Sequence, residues 1–173
     1  MFKIGQSVVY RSEGVCKIVD IREESFGVIG VAHKYYILSP VNDMKSTLFV
    51  PVDNETLTSF IRPVLSVSEL GELLKSLEEE TIELPKEARA RHMSFRDILA
   101  IGDRRELILL VKTMSEYWKQ GNRVLGTDIN DFDRAKHMLY NELSYSLELD
   151  SEDDVVQLVL GKAAPISRTG EQL

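Results

Sequence analysis

The residue types that most often do chemistry are sparse and scattered in this chain. His33, His92 and His137 stand far apart, with no second His or Cys at ligand spacing. A zinc site takes two close ligands from one element, so no metal is expected. Cys16 is the single cysteine and lies in an apolar run with Val15, Ile18 and Val19. It reads as a small packed hydrophobe rather than a reactive thiol, and no intramolecular disulfide is possible. The chain has no G-x-S-x-G elbow, no P-loop and no G-x-G-x-x-G. Glu78-Glu79-Glu80 and Asp153-Asp154 read as solvated runs, because a general acid needs an apolar pocket to raise its pKa. No catalytic residue, cofactor or small-molecule substrate is expected, and the chain does not read as an enzyme.

The chemistry the residues do offer is phosphate binding. Between Lys86 and Arg123 there are nine basic residues against five acidic ones, inside a chain of net charge −7. Arg89, Arg91 and Arg96 fall within two turns of one predicted helix, and Arg104 and Arg105 open the next. The Gly102-Asp103 corner between the helices could bring these side chains to one end of a bundle. A few phosphate contacts there would give modest, salt-sensitive affinity for nucleic acid. The competing reading is a set of solvated helix faces with local partners, such as Arg105 with the turn holding Glu106. An exposed Trp118 or Tyr117 could stack on a base. Trp118, however, continues a Leu107, Val111, Met114 stripe, which predicts burial.

A second feature suits a protein partner. Leu48-Phe49-Val50-Pro51 reads as a strand, and proline within strands is mostly confined to sheet edges. An edge strand with unpaired backbone groups can accept a strand from another chain. The period of two leaves open whether Phe49 faces out or into the sheet's own core.

Two sets of elements must position these residues. Four runs rich in Val, Ile, Tyr, Phe and Thr occupy the first sixty residues: 1–10, 14–21, 34–39 and 46–52. Turn residues separate them at Ser12-Glu13-Gly14, Val28-Ile29-Gly30 and Asn42-Asp43. Several short strands in so little chain make a curled sheet or small barrel. Near residue 65 the apolar period changes, and Arg62-Pro63-Val64-Leu65 reads as a linker. Ser66 or Ser68 then caps a helix carrying Leu70, Leu73, Leu74 and Leu77. A second helix starts with Pro85 in its first turn and runs to Ile101-Gly102. Asp103-Arg104-Arg105-Glu106 resembles a capping box for a third. A fourth runs from about Asp128 to Leu147, and a fifth from Ser151 to Leu160.

The expected fold class is α+β in two domains, a β-barrel over 1–62 and an all-α bundle of four or five helices over 66–160. A flexible tail over 161–173 follows. Hydrophobic residues make up 43% of the chain, enough for a core without staples. No window approaches the ~18 apolar residues of a membrane span, and Met1-Phe2-Lys3-Ile4-Gly5 lacks a signal-peptide pattern. No membrane association is expected, and the predicted location is cytoplasmic.

The order and spacing of several runs resemble a known family. The opening F-K-I-G-Q-x-V-V-Y, then G-V-C-K-I-V-D-I, Y-Y-I-L-x-P-V-N-D and L-F-V-P-V-D-N, are similar to the RNA-polymerase-interacting module of CarD/CdnL transcription regulators. I-G-D-R-R-E-L-I-x-L-V-K-T and A-K-H-M-L-Y-N-E-L extend the likeness through roughly residue 160. The resemblance implies a Tudor-like or SH3-like barrel that pairs with a lobe of the RNA polymerase β subunit. It also implies a helical domain that contacts promoter DNA and modulates open-complex stability, and so a nucleoid location through the polymerase. Carried over by position, the polymerase-binding residues are Phe49, Val50 and Pro51. The DNA-facing residues are Lys86, Arg89, Arg91, Arg96, Arg104 and Arg105. Many members carry a Trp wedge in the basic helix, where alignment back from Gly102-Asp103 places Ala88. On the polymerase-facing surface this chain has Glu24 and Phe49 where some members have basic side chains. A protein–protein adaptor without direct DNA binding is the rival reading.

Overall fold

The computed structural model describes residues 1–26, 32–43 and 45–162. The expected turn at Val28, Ile29 and Gly30 lies outside them, as do residues 163–173 of the expected tail. The chain divides into two compact units, one ending at Val64 and one starting at Leu65.

The first unit is a five-stranded antiparallel sheet in the order β4-β3-β2-β1-β5. Its strands are β1 (Ser7–Tyr10), β2 (Val15–Glu24), β3 (His33–Pro40), β4 (Leu48–Pro51) and β5 (Ile61–Pro63). A 3-10 turn over Arg11–Glu13 joins β1 to β2 and ends at Gly14, whose φ of 72° favours glycine. The register between β2 and β3 slips between Ile18 and Asp20. This bulge increases local twist and curls the sheet. Inward residues Val8, Cys16, Ile18, Tyr36, Leu38, Val50 and Ile61 close one core, with Phe2, Leu57 and Phe60 packed against it. Burial, and then the nearby Glu13 charge, push the Cys16 thiol up to about 12, as expected of a packed hydrophobe.

Two short elements were not legible in the sequence. The helix α1 (Glu55–Thr58) is capped by Asn54, whose side chain accepts from the Leu57 N–H at 3.0 Å. The expected linker at Arg62 and Pro63 is the end of β5, where Pro63 pairs with Val8 on the outermost strand. Proline is found mostly on edge strands such as this one, where one side of the backbone has no ladder partner.

The second unit contains α2 (Val67–Ser76), α3 (Ala88–Ile101), α4 (Arg104–Lys119), α5 (Gly126–Leu143) and α6 (Glu152–Val159). Ser66 and Glu69 form the reciprocal capping box of α2. Gly102 closes α3 in the left-handed region at φ 68°, donating to Ile98 O at 2.8 Å. Asp103 then caps α4 through the Glu106 N–H at 3.2 Å. Every residue from Leu107 to Ser115 is buried, so α4 is the central helix, packed by α3, α5 and α6. Phe95, Leu99, Leu110, Met114, Leu139 and Leu147 fill this core.

α3 starts three residues after Pro85 rather than around it. The chain ahead of the helix supplies acceptors instead, since the carbonyls of Pro85 and Lys86 accept from the Arg91 guanidinium at 3.0 and 3.2 Å. The segment between α2 and α3 is fastened to α4 in two places. The Ile82 N–H donates to Thr113 Oγ1 at 3.1 Å. Lys112 Nζ donates to the carbonyls of Leu77 at 2.9 Å, Glu80 at 3.0 Å and Glu78. A buried lysine thus satisfies carbonyls left over at the end of α2.

Candidate functional site

The sheet unit carries an aromatic patch on the face away from its core. Alternation along β4 sends Val50 inward at 1% exposure and Phe49 outward at 38%. Register places Phe49 beside β3, where Tyr35 pairs with Pro51. Phe26, just past the end of β2, completes the group. Ring centroids lie 4.9 Å apart for Phe26–Phe49, 5.3 Å for Phe26–Tyr35 and 6.3 Å for Tyr35–Phe49, all edge to face. Phe26 is 62% exposed. Phe49 is exposed with it and Tyr35 is half-buried, so the cluster is a candidate binding surface.

The patch borders a free edge. β4 is terminal in the sheet, so its outer backbone groups have no strand partner among the described residues. Of the three residues expected on this surface, Phe49 presents its ring and Pro51 sits half-buried at the strand end. The Val50 side chain lies in the core and can offer a partner only its backbone. Phe26 and Tyr35 belong to the surface and were missed, because only the β2–β3–β4 pairing brings them to Phe49. Glu24 ends β2 and is tied to Arg22 at 2.7 Å.

The helical unit divides the expected DNA-facing residues into two groups. Arg91 and Arg104 point into the bundle. Arg91 is 3% exposed and grips Asp128 with two bonds, Nε to Oδ1 at 2.9 Å and a terminal nitrogen to Oδ2 at 2.7 Å. Burial pushes the Asp128 carboxyl up. The Arg91 hydrogen bonds, the Leu125 N–H and the Arg91 and His92 charges outweigh that and hold it below its ordinary value. Arg104 is buried against Glu142 on α5. Neither guanidinium can reach a phosphate without abandoning a buried carboxylate, so both are removed from the DNA-facing set.

Lys86, Arg89, Arg96 and Arg105 are exposed. Arg105 pairs with Glu80, 25 residues back, rather than with its own turn. Arg89 and Arg96 share one outer face of α3 with Met93, which is 59% exposed between them. Two carboxylates of α5 also point inward: Asp128 holds Arg91, and Asp131 holds His92 at 2.6 Å. Trp118 rests edge-on against Phe132 at 6.4 Å, yet it is 47% exposed, so the expected burial holds for one side of the indole only.

Among the described residues no group of three His, Cys, Asp or Glu could hold a metal ion, and no helix is long and apolar enough to cross a membrane. A curled antiparallel sheet with aromatics along a free edge defines an interaction module. Residues 2–65 match the family described as the CarD-like/TRCF RID domain, consistent with a CarD/CdnL-like protein. That domain is Tudor-like, non-enzymatic and RNA-polymerase-interacting. The match spans the sheet unit and ends at the first residue of the helical unit. No curated protein matches the chain.

Proposed function

We propose that the protein is a bacterial transcription regulator. It docks on the RNA polymerase β subunit through the β4 edge and contacts promoter DNA through the outer face of α3. The observation that carries this reading is the Phe26–Tyr35–Phe49 patch beside the open strand, within the segment that matches the RID domain. Backbone pairing along β4 would supply affinity, and the aromatic rings would supply specificity. Lys86, Arg89 and Arg96 would add phosphate contacts, with Arg105 available on release from Glu80. DNA affinity can stay weak because the polymerase provides localisation. A contact made only with the opened promoter shifts the closed–open equilibrium by its own free energy, about tenfold for ~1.4 kcal/mol.

The adaptor reading, with no DNA contact, draws on the withdrawal of Arg91 and Arg104 into the bundle. Open-complex lifetime after heparin challenge separates the two. Wild type changes the lifetime, and Phe49→Asp returns it to that of polymerase alone. Combined Arg89→Glu and Arg96→Glu abolishes the effect if DNA is contacted, while polymerase capture persists. An effect that survives this charge reversal selects the adaptor. A wild-type protein with no effect on lifetime contradicts the promoter role.

A further inference from the structure

α3 has a third face between its core side and the basic stripe. Arg91, Phe95 and Leu99 face the core, and Arg89, Met93 and Arg96 form the exposed stripe. Asp97, Ile98 and Ile101 lie roughly 120° round the helix from that stripe, at about 100° per residue. They line a cavity of about 440 Å³ with Ile82 and Glu83 from the preceding segment and Asp103 and Glu106 from the start of α4.

The floor of this cavity is aliphatic and its rim is anionic. Ile101 is 53% exposed, and Ile82 and Ile98 are half-buried against the bundle core. Four carboxylates surround them, and none of the lining residues is basic. Arg104 and Arg105, which follow Asp103, are engaged by Glu142 and Glu80, and Arg96, next to Asp97, belongs to the exposed stripe. A concave site with apolar walls concentrates the field of such a rim. Exposed aliphatic area inside a polar border is also the pattern of an interaction site.

We propose that this groove docks a polypeptide segment of a partner protein, one carrying aliphatic side chains flanked by Lys or Arg. The aliphatic group covers Ile82, Ile98 and Ile101, and the flanking cations meet Glu83, Asp97, Asp103 and Glu106. The same carboxylates repel nucleic acid, so this face and the basic stripe of α3 select opposite partners.

The test uses the full chain and a fluorescein-labelled hexapeptide with two leucines between pairs of arginines, read by anisotropy. Saturable binding is expected. Serine in place of the leucines, Asp97→Lys and Ile101→Ser should each weaken it at least about tenfold, with the circular dichroism of both variants unchanged. Glu72→Lys, exposed on α2, should leave it within about twofold. Absence of binding to wild type overturns the proposal. So does an equal loss in Glu72→Lys and Asp97→Lys, which would mean general attraction to an acidic chain. Concentration-dependent self-association abolished by Asp97→Lys would assign the groove to a second copy and also overturn it.

Discussion

The two units treat awkward residues in opposite ways. The sheet unit leaves Phe26 and Phe49 exposed over a half-buried Tyr35, although aromatic rings are the groups a core gains most from burying. The helical unit takes Arg91, Arg104, Lys112, Asp128 and Asp131 out of solvent, although charges cost most to bury. Each buried charge there is paired or hydrogen-bonded within the unit, so those groups have little left to offer a partner. The aromatic patch has no such compensation. Residue type alone suggests the arginines, while unmet bonding and burial point to the edge of the sheet.

The largest effect is expected from removing one charge from the bundle. Arg91→Ala leaves Asp128 buried and alone, and should cost the helical unit about 3–5 kcal/mol. Trp118 is the chain's only tryptophan and lies on α4, so its fluorescence in urea follows this unit. Adding Asp128→Leu to Arg91→Met should recover most of the loss, because replacing both members of a buried ion pair by packed apolar side chains is often neutral for stability. If Arg91→Ala is neutral, the inward arginine is not structural and returns to the DNA-facing set.

Acid should act on the same pair. Asp128 titrates below its ordinary value of 3.8 in the folded protein. The stability it contributes is therefore fully present above about pH 4 and is lost as pH falls through the depressed folded value. The gap in urea midpoint between wild type and Asp128→Asn should narrow below pH 4. A gap that widens there would reverse the sign.

Smaller effects sharpen the contrast. Ser66→Ala removes the α2 capping box and should cost about 1 kcal/mol in the same urea assay. Arg89→Ala and Arg96→Ala touch only the exposed stripe and should change stability by less than about 0.5 kcal/mol. Loss of promoter effect with that stability intact would separate the outward arginines from the inward ones.

Much of the scaffold was legible in the chain. Strands followed from Val, Ile, Tyr and Phe runs, and the cap expected at Ser66 or Ser68, which falls on Ser66, and the Asp103 cap announced two helix starts. Leu107, Leu110, Val111 and Met114 marked the helix that became central. The short elements α1 and β5 were not legible, since a four-residue helix and a three-residue strand are too short to show a period. The site was read less well. Arg89 and Arg91 are two residues apart, hence about 200° apart on a helix, and only the partner 37 residues on shows which one turns inward. The burial of Lys112 depends on the end of α2, 32 to 35 residues back, whose carbonyls it reaches. Phe26 carried no local signal, because its neighbours come from two other strands.

The claim that matters most is that the aromatic edge of the sheet unit is the docking surface for RNA polymerase. Calorimetric titration of the polymerase β-subunit lobe into wild type and Phe49→Asp tests it directly. Saturable binding to wild type and at least about tenfold weaker binding to the variant are expected, with the amide NMR spectrum of the sheet preserved. Equal affinity for both proteins, or no binding to a folded wild type, would contradict it.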